Sequence, residues 1–155
     1  MDTVIRIVAD GGLIIIVLIG TIALLMGVKH QNKLRDYAYG IMAGLSALFI
    51  AKIMSLLYQP AIARPFLEQG VTPGALYIDN PGFPSDHALL AGVVVVAVAV
   101  LTPYRKLTVV LLLITVLMSA GRVAALVHTP VDIAGGLLAA VLGGVWYMAR
   151  KHQFR

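Results

Sequence analysis

The stretch that decides this fold is GRVAALVHTPVD, residues 121–132, which separates two strongly apolar segments. It places Arg122, His128 and Asp132 at the edge of those segments. An ionisable group near lipid costs free energy unless a partner or a ligand uses it, so we take these three as a functional hypothesis. Two other polar islands, ARPF at 63–66 and FPSDH at 83–87, are their expected partners. We expect the three islands to meet and to handle a phosphate.

Composition indicates an integral membrane protein. The chain has 155 residues, of which 60% are hydrophobic and 12% charged, whereas soluble domains contain about 25% charged residues. A single domain, residues 1–155, is expected at this length. The absence of cysteine excludes a disulfide scaffold and thiolate chemistry. The N-terminus lacks the basic region of a signal peptide, so the first apolar run is expected to belong to the mature fold.

The apolar runs predict an all-α membrane bundle of about five transmembrane helices. Residues 93–96 would suit a strand in a soluble protein, but lipid requires backbone hydrogen bonds to be satisfied within the segment, so a helix is favoured. Residues 59–84 are rich in proline and glycine and form the only long loop expected. The predicted spans are 11–28, 37–58, 85–102, 107–127 and 130–149.

The basic residues predict the orientation in the cell membrane. In a five-helix arrangement eight of the twelve fall on one side, which is therefore expected to be cytoplasmic. The basic residues lie in short clusters between the apolar runs, which is typical of residues that orient a membrane protein. The net charge of +5 therefore does not indicate that the protein binds nucleic acid. The N-terminus and all three polar islands then lie on the extracytoplasmic face, with the C-terminus in the cytoplasm. The eight residues are Lys29, Lys33, Arg35, Arg105, Lys106, Arg150, Lys151 and Arg155.

His128 and Asp132 have the spacing of a histidine and its orienting carboxylate. At four residues apart, the carboxylate can fix the tautomer of a nucleophilic imidazole. Thr129 and Asp132 also match the start of a helix, where Asp132 would act as a capping acid. The two interpretations are compatible.

The remaining polar residues each have a structural and a functional interpretation. Arg122 can anchor its helix by extending to the interface, or hold two phosphate oxygens with its planar fork. Ser85 is a helix N-cap, and a helix N-terminus also binds anions. His87, in the first turn, would lie close enough to such an anion to act as a general acid. Arg64 is either a solvated loop residue or a phosphate ligand, and Lys52 can extend outward toward the same site.

Taken together, Arg64-Pro65, the segment 84–87 and Arg122-x5-His128-x3-Asp132 resemble the three-part signature of the type 2 phosphatidic acid phosphatase superfamily. That family also contains the vanadium haloperoxidases. The resemblance implies a metal-independent phosphatase, without cofactors, that works through a phosphohistidine. His128 would be the nucleophile, Asp132 its orienting partner and His87 the general acid. The implied phosphate ligands are Arg64, Arg122, Ser85, Asp86 at the helix start, and Lys52.

The sequence departs from the family pattern at several positions. Leu57 stands where the family usually has a lysine, and Gly121 stands where it usually has a serine. Asp86 replaces a common glycine, as in the branch that resembles bacterial undecaprenyl diphosphate phosphatases. Family members usually have six spans, and the first is missing here without loss of the three site-bearing junctions.

The function predicted from this resemblance is hydrolysis of a lipid phosphate or diphosphate on the extracytoplasmic face. Undecaprenyl diphosphate, converted to undecaprenyl phosphate, is the first expected substrate. Phosphatidate or phosphatidylglycerophosphate is the alternative. A non-catalytic membrane subunit that binds anions is an alternative of a different class, supported by the missing lysine and by Gly121.

Overall fold

The computed structural model describes residues 3–58 and 64–147, and within these ranges it contains helices and loops but no strand. The predicted all-α class is therefore confirmed for the described residues. Helix α1 includes a π-helical turn at Ile7–Gly11, and a 3-10 turn at His30–Asn32 precedes α2. The helices are α1 (Thr3–Gly27), α2 (Lys33–Leu57), α3 (Pro65–Glu68), α4 (Asp86–Leu101), α5 (Arg105–Ala124) and α6 (Pro130–Gly143).

Three helices among the described residues, α1, α2 and α5, are long and apolar enough to cross a membrane. Helices α4 and α6 are apolar but shorter, with 16 and 14 residues. Large apolar side chains such as Leu18, Phe49 and Leu117 are exposed on the outer faces of the three long helices. A helix that is apolar on both its inner and outer faces is typical of a membrane environment.

Helix α4 lies at the centre of the bundle and packs against α1, α2, α5 and α6. Small residues permit the closest approaches. A Cβ atom on Gly136 would lie 2.5 Å from the carbonyl oxygen of Ser85, and one on Gly92 would lie 2.7 Å from the Cβ atom of Ala140. One on Gly143 would lie 2.6 Å from the Cβ atom of Ala47. These glycines are packing positions, as expected of small residues in membrane helices.

Helix boundaries differ from the prediction in several places, and α2, for example, begins at Lys33 instead of residue 37. The predicted start of the first span at residue 11 is wrong, because α1 begins at Thr3 and runs through Asp10 without a break. The charged residue Asp10 does not interrupt the helix, because Arg122 neutralises its charge. Helix α5 ends at Ala124, and residues 125–127 form a turn instead of the predicted last helical turn. Helix α6 begins at Pro130 as predicted and ends at Gly143, while the predicted end at residue 149 lies outside the described residues.

Candidate active site

His128 and Asp132 meet at the start of α6. The Thr129 side chain accepts a hydrogen bond from the Asp132 N–H, and Asp132 Oδ2 accepts one from the Thr129 N–H at 2.7 Å, so the capping box is present. The same Oδ2 lies 3.5 Å from Nδ1 of His128. Asp132 therefore caps α6, as predicted, and contacts the His128 ring at the same time. Because the carboxylate faces Nδ1, Nε2 is the ring nitrogen left to react.

The surroundings of His128 favour its neutral form. The side chain is only about 5% exposed, and burial is the main cause that lowers the pKa of His128 below its ordinary value of 6.5. The hydrogen bond to Asp132 opposes this shift, while the positive charges of Arg122 and Arg64 add to it. A neutral imidazole has the free lone pair that a nucleophile needs.

The long loop is fixed to the turn that precedes His128. Leu126 has a φ of 59°, a left-handed conformation that is uncommon for a side chain of this kind. Its carbonyl accepts the N–H of Phe66 at 3.0 Å, and the carbonyl of Ala125 accepts the N–H of Gly74 at 3.1 Å. These two bonds bring the loop, and Arg64 with it, against His128.

Arg64 is buried, so the interpretation of it as a solvated loop residue is wrong. Its Nη1 donates to the carbonyl of Val127 and lies 3.4 and 3.5 Å from the two ring nitrogens of His128. Its Nη2 donates to the carbonyl of Ile78 at 2.9 Å and to Asn80 Oδ1 at 2.6 Å. Its Nε is buried and has no hydrogen-bond partner among the described residues. The guanidinium is thus held by its two terminal nitrogens.

Arg122 is held in the same way on the other side of the cluster. It is 1% exposed, which is inconsistent with a side chain that only reaches out to the interface. Its Nη1 lies 3.1 Å from Asp10 Oδ1 and 3.3 Å from His87 Nε2, and its Nη2 donates to the carbonyl of Leu76 at 2.9 Å. Its Nε is also buried without a partner in the described part of the chain.

Ser85 joins the start of α4 to the start of α6. Its N–H donates to the carbonyl of Asp132 at 2.9 Å, and its hydroxyl caps α4 by accepting the N–H of Ala88 at 3.5 Å. The predicted N-cap is confirmed. His87, in the first turn of α4, is half-buried and faces Arg122. The three polar islands therefore meet at one end of the bundle, as the sequence predicted.

Lys52 and the Asp86 side chain face a neighbouring cavity, although the negative charge of Asp86 acts on both arginines. Both are exposed and line this cavity of about 210 Å³, together with Asn80 and Phe83. In the described part of the chain, neither forms an ion pair or hydrogen bond with the two arginines or the two histidines. The cavity adjoins the cluster through Asn80, which also binds Arg64. The predicted contact of Lys52 with phosphate thus stays a prediction.

Two residues of the cluster were not predicted from the sequence. Asp10 binds Arg122, and Asn80 binds Arg64 and the N–H of Gly82. Asp10 carried a signal that could have been used, since it is the only charged residue between 7 and 28. A lone acid in a membrane helix needs a partner. Asn80 looks like any polar loop residue, and only the folded loop identifies it.

Sequence comparisons with known proteins identify the family of this chain. A family model described as the PAP2 superfamily matches residues 33–155. The chain belongs to the PAP2 superfamily. Among curated proteins, it is 26% identical to "Undecaprenyl-diphosphatase BcrC" of Bacillus subtilis (strain 168) over 145 residues, which are 93% of this chain and 72% of the relative. No solved structure matches the protein.

Membership of the PAP2 superfamily, together with the apolar helices, makes the protein a membrane lipid phosphatase and hence a hydrolase. The resemblance seen in the sequence is confirmed. All residues of the predicted signature lie within the matched range, whereas Asp10 lies outside it. Among the described residues no group of three or more histidine, aspartate or glutamate side chains could hold a metal ion.

Proposed function

We propose that this phosphatase removes the terminal phosphate of a lipid diphosphate through a phosphohistidine at His128. The observation that carries the proposal is the pair of buried arginines on either side of the two histidines. Each guanidinium is fixed through its terminal nitrogens and keeps a buried Nε without a partner among the described residues. Buried donors are normally satisfied, and a phosphoryl group placed between the histidines would supply oxygens to both Nε atoms.

The first chemical step is transfer of the phosphoryl group. Nε2 of His128 attacks phosphorus, and the bond between phosphorus and the leaving oxygen breaks. Asp132 holds Nδ1 and stabilises the cation that forms on the ring. His87, once protonated, gives its proton to the leaving oxygen of the lipid phosphate. The two arginines and the N–H groups at the start of α4 neutralise the charge that develops on the phosphoryl oxygens.

The second step returns the enzyme to its starting state. His87, now neutral, takes a proton from a water molecule, and the resulting hydroxide attacks phosphorus. The bond between Nε2 and phosphorus breaks and inorganic phosphate leaves. We propose that no metal takes part, since two guanidinium groups already supply the positive charge that phosphoryl transfer requires.

We propose undecaprenyl diphosphate as the substrate, since the curated relative bears the name of an undecaprenyl diphosphatase. We also propose that Lys52, exposed in the adjoining cavity, contributes to phosphate binding. The tail would lie along the apolar outer faces of the helices. The bond that is cleaved distinguishes this substrate from phosphatidate and phosphatidylglycerophosphate, since it is a phosphoanhydride in the first and a phosphomonoester in the other two.

We propose that the five apolar helices α1, α2, α4, α5 and α6 all cross the cell membrane, with the cluster at the extracytoplasmic surface. The rise of 1.5 Å per residue gives α4 and α6 lengths of roughly 24 and 21 Å, short of the hydrocarbon core but adequate for central helices that end at a polar site. The basic turn at Arg105 and Lys106 follows the opposite end of α4 from His87. Positive residues favour the cytoplasmic side.

Phosphate release in detergent micelles tests the proposed activity. The wild-type protein should release phosphate from undecaprenyl diphosphate faster than from phosphatidate, with and without EDTA. A His128→Ala variant of unchanged unfolding temperature should release none. Faster release from phosphatidate would contradict the substrate assignment, loss of activity in EDTA would contradict the metal-free mechanism, and turnover by the variant would contradict the role of His128.

A further inference from the structure

The first helix contributes an acidic residue to the cluster. Asp10 lies within the π-helical turn Ile7–Gly11 of α1, and such turns are frequent at functional sites. Its Oδ1 lies 3.1 Å from Nη1 of Arg122. Both carboxylate oxygens also accept the N–H of Leu76, at 3.1 and 3.3 Å. Asp10 therefore binds Arg122 and the long loop at the same time.

These contacts leave Arg122 with one defined orientation. Nη1 is shared between Asp10 and His87, and Nη2 is bound by the carbonyl of Leu76. Since Leu76 also donates its N–H to Asp10, the carboxylate, the guanidinium and the backbone of Leu76 form a closed ring of contacts. With both terminal nitrogens fixed in this way, the buried Nε is the guanidinium nitrogen that has no hydrogen-bond partner among the described residues.

The packing of α1 explains the glycine at position 121. A Cβ atom on Gly121 would lie 3.2 Å from the backbone N of Ala9 and 3.3 Å from its Cα atom. These distances are tighter than most Cβ contacts, so the serine that the family usually has here would require α1 to shift slightly away from α5. The close approach that requires Gly121 is the same one that brings Asp10, the next residue along α1, onto Arg122. The missing serine and the additional aspartate are thus two results of one helix contact.

We propose that Asp10 is a positioning residue for phosphoryl transfer, which acts by holding Arg122 in the orientation that binds the phosphoryl oxygens. It touches neither the phosphate nor the reacting nitrogen in this role, so its effect passes through Arg122. A displacement of about 1 Å in a group that stabilises the transition state can cost roughly 100-fold in rate. The proposal rests on the phosphatase activity proposed above and adds a residue that lies outside the range matched by the family model.

Two variants and one control test the role of Asp10. Asp10→Asn keeps the shape of the side chain and removes its charge, whereas Asp10→Glu keeps the charge and displaces the carboxylate by one methylene. Glu68→Gln is the control, since it removes a carboxylate from an exposed position on the same loop side. Turnover and KM for undecaprenyl diphosphate are measured for each, with the rate expressed per folded molecule from thermal unfolding of the same preparation.

If Asp10 positions Arg122, both Asp10 variants should lower kcat per folded molecule about 10- to 100-fold, with a smaller change in KM. Inhibition by orthovanadate, which mimics the five-coordinate transition state, should weaken in parallel. Glu68→Gln should keep the wild-type values. An unchanged kcat per folded molecule, or a loss that only follows the folded fraction, would overturn the proposal. His128→Ala is measured in the same experiment. If it also turns over, the proposed activity fails. If it is inactive while the Asp10 variants keep the wild-type kcat, only the role of Asp10 fails.

Discussion

At the level of single residues, burial of the His128 imidazole makes the stability of the fold depend on pH. Burial lowers the pKa of His128 below 6.5, so the neutral form of the ring predominates at and above that pH. The unfolded chain protonates this histidine near 6.5 and the folded chain only at a lower pH. Between the two values the unfolded state binds more protons. The contribution of His128 to stability is therefore complete above pH 6.5 and declines as the pH falls below it.

A pH series of thermal unfolding in detergent micelles tests this sign. Between pH 7.5 and 5, the unfolding temperature of the wild type should fall more than that of His128→Gln, which cannot take up the proton. The rate of phosphate release should decline over the acidic part of the same series. Equal slopes for the two proteins would show that the pKa of His128 is the same in the folded and unfolded states.

At the level of helices, the contact of α4 with α6 places both histidines. A Cβ atom on Gly136 would lie 2.5 Å from the carbonyl oxygen of Ser85 and 2.9 Å from the backbone N of Leu89. Ser85 in turn donates its N–H to Asp132. Backbone atoms cannot move aside as the end of a flexible side chain can. A larger residue at position 136 must therefore push α4 and α6 apart.

The Gly136→Ala variant should therefore be destabilised by about 1–3 kcal/mol, the usual cost of an overpacked contact. Its phosphatase activity should fall with the displacement of His87 from His128. Gly44→Ala is the matched control, because its Cβ would meet only Val93 Cγ1 at 3.8 Å and alanine favours the helix. Fluorescence of the single tryptophan, Trp146, follows unfolding of both variants. Equal stability of the two would contradict the tight packing of α4 on α6.

At the level of the whole molecule, the sequence predicted the helical bundle and the meeting of the polar islands, because apolar runs and helix caps are local signals. Capping by Ser85 and Thr129 could be read directly. The start of α1 could not, since a search for uncharged runs stops at Asp10. Its partner Arg122 is 112 positions away, and the pairing depends on α1 packing beside α5. The position of Lys52, on α2 and beside a cavity that the long loop also lines, likewise depends on how the loop packs against the helix.

The orientation of the bundle can be tested because the chain contains no cysteine. A single cysteine introduced as Glu68→Cys, at an exposed position near the cluster, should react in intact cells with a maleimide that cannot cross membranes. Lys106→Cys, at an exposed position near the other end, should react only after the membrane is made permeable. The reverse pattern would place the cluster at the cytoplasmic surface.

The central claim is that the phosphate passes through His128, and the most direct measurement is of the covalent intermediate itself. Wild-type protein is mixed with undecaprenyl diphosphate that carries radioactive phosphorus in its terminal phosphate, quenched in alkali within the first turnover, and digested to peptides. We predict a label that is stable in alkali, is lost in acid, and lies on the peptide containing His128, with no label in His128→Ala. Label on another residue, or phosphate release by the wild type without any labelled protein under these conditions, would contradict the account.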